Sequence, residues 1–381
     1  MHRLHTLLIF LMLVCCSPPT TYAERIIGMR VDPAYLYESH FKSAGVTGAQ
    51  SAARLIVRDA KQMGVNRIFF YVYNSQFGAF YPTDYPDTVV EAGLGKQDIL
   101  KHLLKEADEN KIRVVAVTPI NNFFTAWRTH PKWRLHLFGK YNITPVGSHY
   151  ILSAWNPQFN RWVMGLLEDL IKRYPLLQGV EIVEPQIDPH WQLASVIKKK
   201  FLNNRSPHTN GEDFIHYHAR GLTQLLGRAG ALLHRNNKQF FISQSWTANS
   251  KGKLIKTGKI KESSGFDFSA ILNLPPQQRP DYLIVELIWQ QWRVTHKKRI
   301  FNPQWTLSAV RQCQKKISAK VKLIAHVEIT PWGNIIPSAK EFKQTLRLAL
   351  KANRSGISFY DYSQLKKMAL RITFSQLIQG L

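Results

Sequence analysis

From Arg25 onward, short and almost unbroken apolar runs alternate with longer stretches whose apolar positions recur every three or four residues. The runs are Ile26 to Val31, Arg67 to Tyr73, Ile112 to Thr118, Val180 to Glu184, Phe240 to Ser245, Tyr282 to Ile288, Leu323 to Ile329 and Ile357 to Tyr360. A strand that is apolar at both parities is covered on both faces, as in a parallel sheet. The periodic stretches predict helices over Ala49 to Met63, Gln97 to Asn110, Asn160 to Tyr174, Glu212 to His234, Trp305 to Ile317, Ala339 to Ala352 and from Ser363 on. The fifth crossover offers only Phe266 to Leu272. Gly64, Gly179 and Gly356 stand between a helix and the next strand, where a left-handed residue is wanted.

Eight β/α units without a Pro/Gly/Ser-rich linker predict an α/β fold, an eight-stranded parallel β/α (TIM) barrel, as one domain over 24–381. A doubly wound open sheet is the alternative, and the lack of a Gly-rich phosphate turn after the first strand counts against it. The long loops, Ile120 to Gln158, Gln186 to Gly211 and Thr247 to Phe266, all run from strand to helix. They are therefore expected on the C-terminal face, where such barrels concentrate their binding residues.

The start of the chain reads differently. Met1-His2-Arg3, the apolar run Leu7 to Val14 and the small residues of Thr21-Tyr22-Ala23 form the pattern of a secretory signal over 1–23. The run is too short to span a bilayer, so the protein is expected to be periplasmic or secreted from a bacterium. A lipid anchor at Cys16 is the alternative, and Val14-Cys15 before it lacks the usual small residue. Beyond the signal only Cys313 remains, which rules out an intrachain disulfide and fits a periplasm better than a eukaryotic extracellular space.

Charge adds a class of partner. The chain carries 51 Lys and Arg against 25 Asp and Glu, and losing Arg3 with the signal leaves 50 − 25 = +25. Such a field draws polyanions, and an exported protein meets anionic envelope polymers first. Nucleic acid is not expected, because the basic clusters are scattered without a stripe of stacking aromatics. No cofactor or metal is implied. His216 and His218 fall on different faces of a helix, and there is no phosphate loop, zinc spacing or Gly-x-Ser-x-Gly elbow. Nothing in the sequence sets an oligomeric state.

Two strands end in a carboxylate: the fourth in Glu184 and the seventh in Glu328. Burying an unpaired carboxylate costs several kcal/mol, so two on nearly pure apolar strands call for a cause. Paired carboxylates across a barrel mouth are the minimum equipment for cleaving a glycosidic bond. Glu184 is expected to protonate the leaving oxygen, and Glu328 to attack the anomeric carbon or activate water. Alternation places Glu184 with Val180 and Ile182, with Glu181 on the other face, and places Glu328 with Ile324 and His326. The structural alternative is pairing of either glutamate with a buried cation such as Arg30. Glu286, mid-strand, reads as structural. Asp32, Tyr73, Asn74, Asn121 and Asp361 stand at strand ends as candidates for binding sugar hydroxyls, and His326 as a neighbour of Glu328. Eight of the ten tryptophans (127, 133, 155, 191, 246, 289, 292 and 332) follow strand ends. Flat indole rings suit the C–H faces of sugars, which makes Trp246, Trp289 and Trp332 the expected platforms.

At these residues the chain resembles the family-10-like glycosyl hydrolases, bacterial envelope barrels. The resemblance rests on Gly28-Met29-Arg30-Val31-Asp32-Pro33, the run from Ala60 to Tyr81-Pro82, His130-Pro131-Lys132-Trp133, Trp155-Asn156-Pro157 and the approach Arg173 to Val180. It covers residues 25 to 190 and continues beyond by architecture. Where that family often ends its fourth strand in Asp-Asp or Leu-Asp, this chain has Val183-Glu184-Pro185. A glutamate on strand four with another on strand seven also looks like the large retaining glycosidase clan. The resemblance implies an exported glycoside hydrolase of an envelope or extracellular polysaccharide, anionic or amino-sugar-containing given the charge. A non-catalytic glycan-binding barrel is the alternative, and a metal-dependent deacetylase is disfavoured by the missing ligand set.

Overall fold

The computed structural model describes residues 25–36, 47–137, 141–142, 150–187, 214–317, 320–329, 333–353, 355–360 and 362. The expected signal segment with Cys16, the final helix from Ser363, and the site candidates Trp332 and Asp361 lie outside these residues.

Eight parallel strands close into a barrel in sequential order: β1 Ile26–Val31, β2 Arg67–Tyr71, β3 Arg113–Thr118, β4 Gly179–Val183, β5 Gln239–Ser245, β6 Tyr282–Glu286, β7 Lys322–Glu328 and β8 Gly356–Tyr360. β8 returns to β1 with Ile27 opposite Ile357, so no strand edge is left open. The crossover helices are α1 Ala49–Gln62, α2 Ile99–Glu109, α3 Pro157–Arg173, α4 Phe214–Arg235, α5 Phe268–Leu272, α6 Pro303–Lys316 and α7 Ala339–Ala352. Capping explains several starts. Asn156 and Asn302 each accept two backbone N–H bonds ahead of a proline in the first turn, and Ser338 with Glu341 closes a capping box on α7. α5 is the weak fifth crossover, a five-residue helix begun by Asp267.

The two parities of each strand make two cores. Phe69, Val115, Val117, Phe241, Ile284 and Ile324 point inward and fill the barrel, while Val180, Ile182, Val285 and their kin pack outward against the helices. Gly64 and Gly356 take positive φ as expected. Gly179 does not, and its need for glycine is steric: a Cβ there would lie 2.3 Å from the Gln239 carbonyl oxygen of β5.

Candidate active site

β4 supplies two glutamates by two routes. Glu181 has the inward parity and is fully buried inside the barrel. Glu184, one residue past the strand, shares parity with Val180 and Ile182, and those two face the helix layer. Alternation alone would therefore send Glu184 away from the mouth. Its backbone takes φ = 41° instead, a left-handed twist that costs about 1–3 kcal/mol for a residue with a Cβ. The Glu184 N–H still donates to the Ser243 carbonyl at 3.1 Å, and the Gln244 amide donates to the Pro185 carbonyl at 3.2 Å. The turn is thus held from β5, and the exposed Glu184 side chain meets Glu286 and Ser245 at the mouth.

Glu286, at the end of β6, anchors this cluster. Its Oε1 accepts from Arg30 Nη1 at 3.0 Å and its Oε2 from the Ser245 hydroxyl at 2.9 Å. Arg30, buried on β1, also donates to Glu181. Burial alone would lower the Arg30 pKa, but Glu181, Tyr71 and Glu286 overrule it and keep the guanidinium charged. The Glu184 and Glu286 carboxyls lie close together, and two carboxylates at close range disfavour ionisation of both. The negative charge of Glu286 pushes the Glu184 carboxyl up to about 8, with Arg30 opposing. Glu184 therefore favours its protonated form at neutral pH. Arg30 is thus a buried, paired cation, but its ion pairs are with Glu181 and Glu286 rather than with Glu184 or Glu328, as the structural alternative had it.

On β7, Glu328 is buried at the mouth with its Oε2 3.8 Å from His326 Nε2, too long for a hydrogen bond. His326 Nδ1 lies 2.9 Å from the Ser358 hydroxyl. Burial, then the charge of Arg30, push His326 well below its usual range, so the ring is neutral and fixes β7 against β8. It lies one layer below the mouth, too deep to reach a polymer.

Between the ends of β2, β3 and β4 opens a cleft with Glu184, Tyr71, Tyr73, Asn74, Asn121 and Gln186 among its walls. Tyr73 is mostly buried, edge-on to Phe123 at 5.0 Å, and Asn121 donates to the Gln186 carbonyl at 2.9 Å. Asn74 accepts from the Gln76 N–H and ties the turn at the rim. Asp32 accepts from the Ala34 N–H at 3.0 Å and caps the helical turn Pro33–Leu36. Tyr73, Asn74 and Asn121 line the cleft, while Asp32 serves its own helical turn.

The tryptophan expectation needs correction. Trp246 and Trp289 are each 1% exposed and offer no face to a sugar. Trp246 stacks on Phe268 at 4.6 Å and donates to the Ile255 carbonyl, while Trp289 donates to Thr345 of α7. Long loops need apolar anchors of their own, and these indoles serve that need. The half-buried ring on the cleft wall is Tyr71, tilted 6.4 Å from Tyr360. Sequence reasoning passed over Tyr71 and Gln186 and set Glu286 aside as mid-strand. The inward parity of Glu286, shared with Ile284, was the signal that could have found it.

An eight-stranded β/α barrel with a carboxyl cluster at its C-terminal mouth is the class that fold and site define. No known family model matches the chain, and no curated protein does. Its structural neighbours are glycoside hydrolases. The glycoside hydrolase domain of PgaB (BpsB) from Bordetella bronchiseptica superposes with a TM-score of 0.60 at 12% identity over 92% of this chain and 99% of that one. The α-L-fucosidase isoenzyme 2 of Paenibacillus thiaminolyticus gives 0.58 at 12% identity, covering 94% of this chain and 49% of that chain. A β-galactosidase from Marinomonas ef1 gives 0.57 at 10%, covering 88% and 54%. At such identities the likeness is one of fold.

Proposed function

We propose that the protein is an exported glycoside hydrolase acting on an envelope or extracellular polysaccharide with anionic or amino-sugar units. The observation that supports this reading is the position of Glu184 on the wall of an open cleft beside Glu286, whose charge favours a protonated Glu184. In the proposed reaction Glu184 gives its proton to the glycosidic oxygen as the bond to the anomeric carbon breaks, and the bonding electrons leave with that oxygen. Glu328 attacks the anomeric carbon or takes a proton from the water that does. Direct attack leaves a glycosyl group on Glu328, which water then displaces as Glu184 takes that water's proton, so two inversions retain configuration; the water route inverts it once. Retention is the form that a strand-four and strand-seven glutamate pair favours. Glu286 acts through Glu184, as a positioning residue that keeps the proton in place.

The glycoside hydrolase neighbours support the reaction class, and the basic charge supports an anionic polymer. Membership of the family-10-like hydrolases and a periplasmic or secreted location belong to the same proposal. The test incubates the purified mature protein with peptidoglycan strands, poly-N-acetylglucosamine and anionic exopolysaccharides, beside Glu184→Gln and Glu328→Gln. Cleavage by the parent protein that disappears in both variants is the expected result. Binding without cleavage by any form would favour a glycan-binding barrel, and unchanged cleavage in both variants would end the assignment.

A further inference from the structure

The basic residues that look scattered along the chain are not scattered in space. From Phe214 through Lys261 there are nine Lys and Arg and no Asp or Glu, and from Leu287 through Val327 there are again nine and none. The fold lays parts of these two stretches side by side. The segment after β5 runs along α6: the Trp305 indole donates to the Gly252 carbonyl at 2.8 Å, the Leu254 N–H donates to Gln312 at 3.1 Å, and Lys316 reaches the Ile255 carbonyl at 3.3 Å. His296, after β6, lies 2.8 Å from the Ala248 carbonyl. Lys251, Lys253 and Lys256 thereby join Lys297, Lys298 and Arg299 on one face, all exposed. Down the same side, Arg311 and Lys315 border a shallow groove with Leu307 and Ser308.

None of these eight cations has a carboxylate partner among the described residues. Several cations elsewhere do: Arg54 meets Glu106, Lys172 meets Glu168, and Lys259 and Lys261 meet Glu262 and Asp267 at the edge of the face itself. Like charges held together without counter-charges repel one another, and an anionic ligand relieves that repulsion. The face is also not purely polar, since Val294 and Ile300 are 42% and 47% exposed within it. Charged groups spaced along an extended surface, with apolar side chains between them, suit a chain that alternates anionic groups with C–H faces.

We propose that this face, on the far side of the Glu184–Glu286 pair from the cleft in barrel order, docks a carboxylated polysaccharide and feeds it to the mouth. The docking stands on the surface alone; its identity as the enzyme's substrate chain rests on the hydrolase reading.

The two are separable by experiment. Binding of polygalacturonate to the full mature protein carrying Glu184→Gln is measured across a salt series, so that cleavage plays no part. A triple variant, Lys297→Glu, Lys298→Glu and Arg299→Glu, is added on that background. Its control is Lys96→Glu, Lys101→Glu and Lys105→Glu, exposed on the opposite side of the barrel with the same change in net charge. We expect at least a tenfold loss of affinity and a shallower salt dependence in the first triple, with less than a twofold loss in the control. Arg311→Gln with Lys315→Gln gives the same test if the first triple fails to fold, and a several-fold loss is expected there. Equal losses in face and control variants would overturn the proposal, because net charge alone would then account for binding. So would equal affinity for neutral dextran, or a preference for phosphatidylglycerol vesicles over the polymer. Specific binding to the face without cleavage of the polymer by the parent protein would leave the docking intact and remove only its tie to the hydrolase reading.

Discussion

The two sides of the barrel differ in how they treat charge. Over 49–110, around β2 and its flanking helices, seven Lys and Arg face eight Asp and Glu, a net of −1, and Arg54–Glu106 and Arg58–Asp59 are paired. This is the side that opens into the cleft. Over 287–327, around α6, nine cations stand with no acid, and the tryptophans that follow β5 and β6 are packed away beneath the loops. A neutral wall suits a site where one proton on Glu184 must be governed by its immediate neighbours. A one-signed surface suits long-range capture of a charged chain. Chemistry and capture are therefore expected to be separable by mutation.

The largest expected effect sharpens that separation. Glu184→Gln should lower polysaccharide cleavage by about 10²–10⁴-fold, the usual contribution of a general acid, while polymer affinity and melting temperature stay close to the parent. A comparable loss of affinity would merge the two sides. Next, Arg30→Met leaves Glu181 and Glu286 without their cation, and breaking a buried ion pair in this way costs about 3–5 kcal/mol. Urea unfolding should show it, and a near-neutral result would mean that the cluster is not buried as described. Trp246→Ala tests the other side. It should cost about 3–5 kcal/mol as a cavity mutation yet leave affinity per folded molecule unchanged, whereas an affinity loss would restore that indole as a sugar platform.

The smallest effect is the most diagnostic. The proposed general acid Glu184 must be protonated to act, so kcat/KM should fall as pH rises through about 8. Removing the Glu286 charge with Glu286→Gln should move that falling limb to lower pH, toward the ordinary carboxyl value of 4.5. A limb that stays in place would show that Glu286 does not govern the proton. Linkage gives the matching sign for stability. A carboxyl raised in the fold stabilises it fully below its unfolded value, and that contribution fades as pH climbs from near 4.5 to about 8.

The barrel was legible because burial on both faces leaves a run of apolar residues that nothing else in a chain this size explains. Strand and helix ends moved by one to three residues, as with α3, which starts at Pro157 where Asn156 caps it. Tyr73 left its expected strand for a two-residue hairpin with Gly78–Ala79. The site was less legible, for two reasons. Parity is a rule for residues inside a strand, and Glu184 reaches the mouth by breaking it one step beyond the ladder. A tryptophan after a strand end looks the same in sequence whether it lines a cleft or plugs the loop above it. Only the packing of Trp246 on Phe268 separates the two.

The left-handed backbone at Glu184 sets function against fold at a single position. Glycine or asparagine would sit there more comfortably than glutamate, so random drift judged by stability alone would erode this carboxyl early. On the proposed hydrolase reading the same conflict warns the protein engineer: a screen for heat resistance alone would trade away Glu184 first.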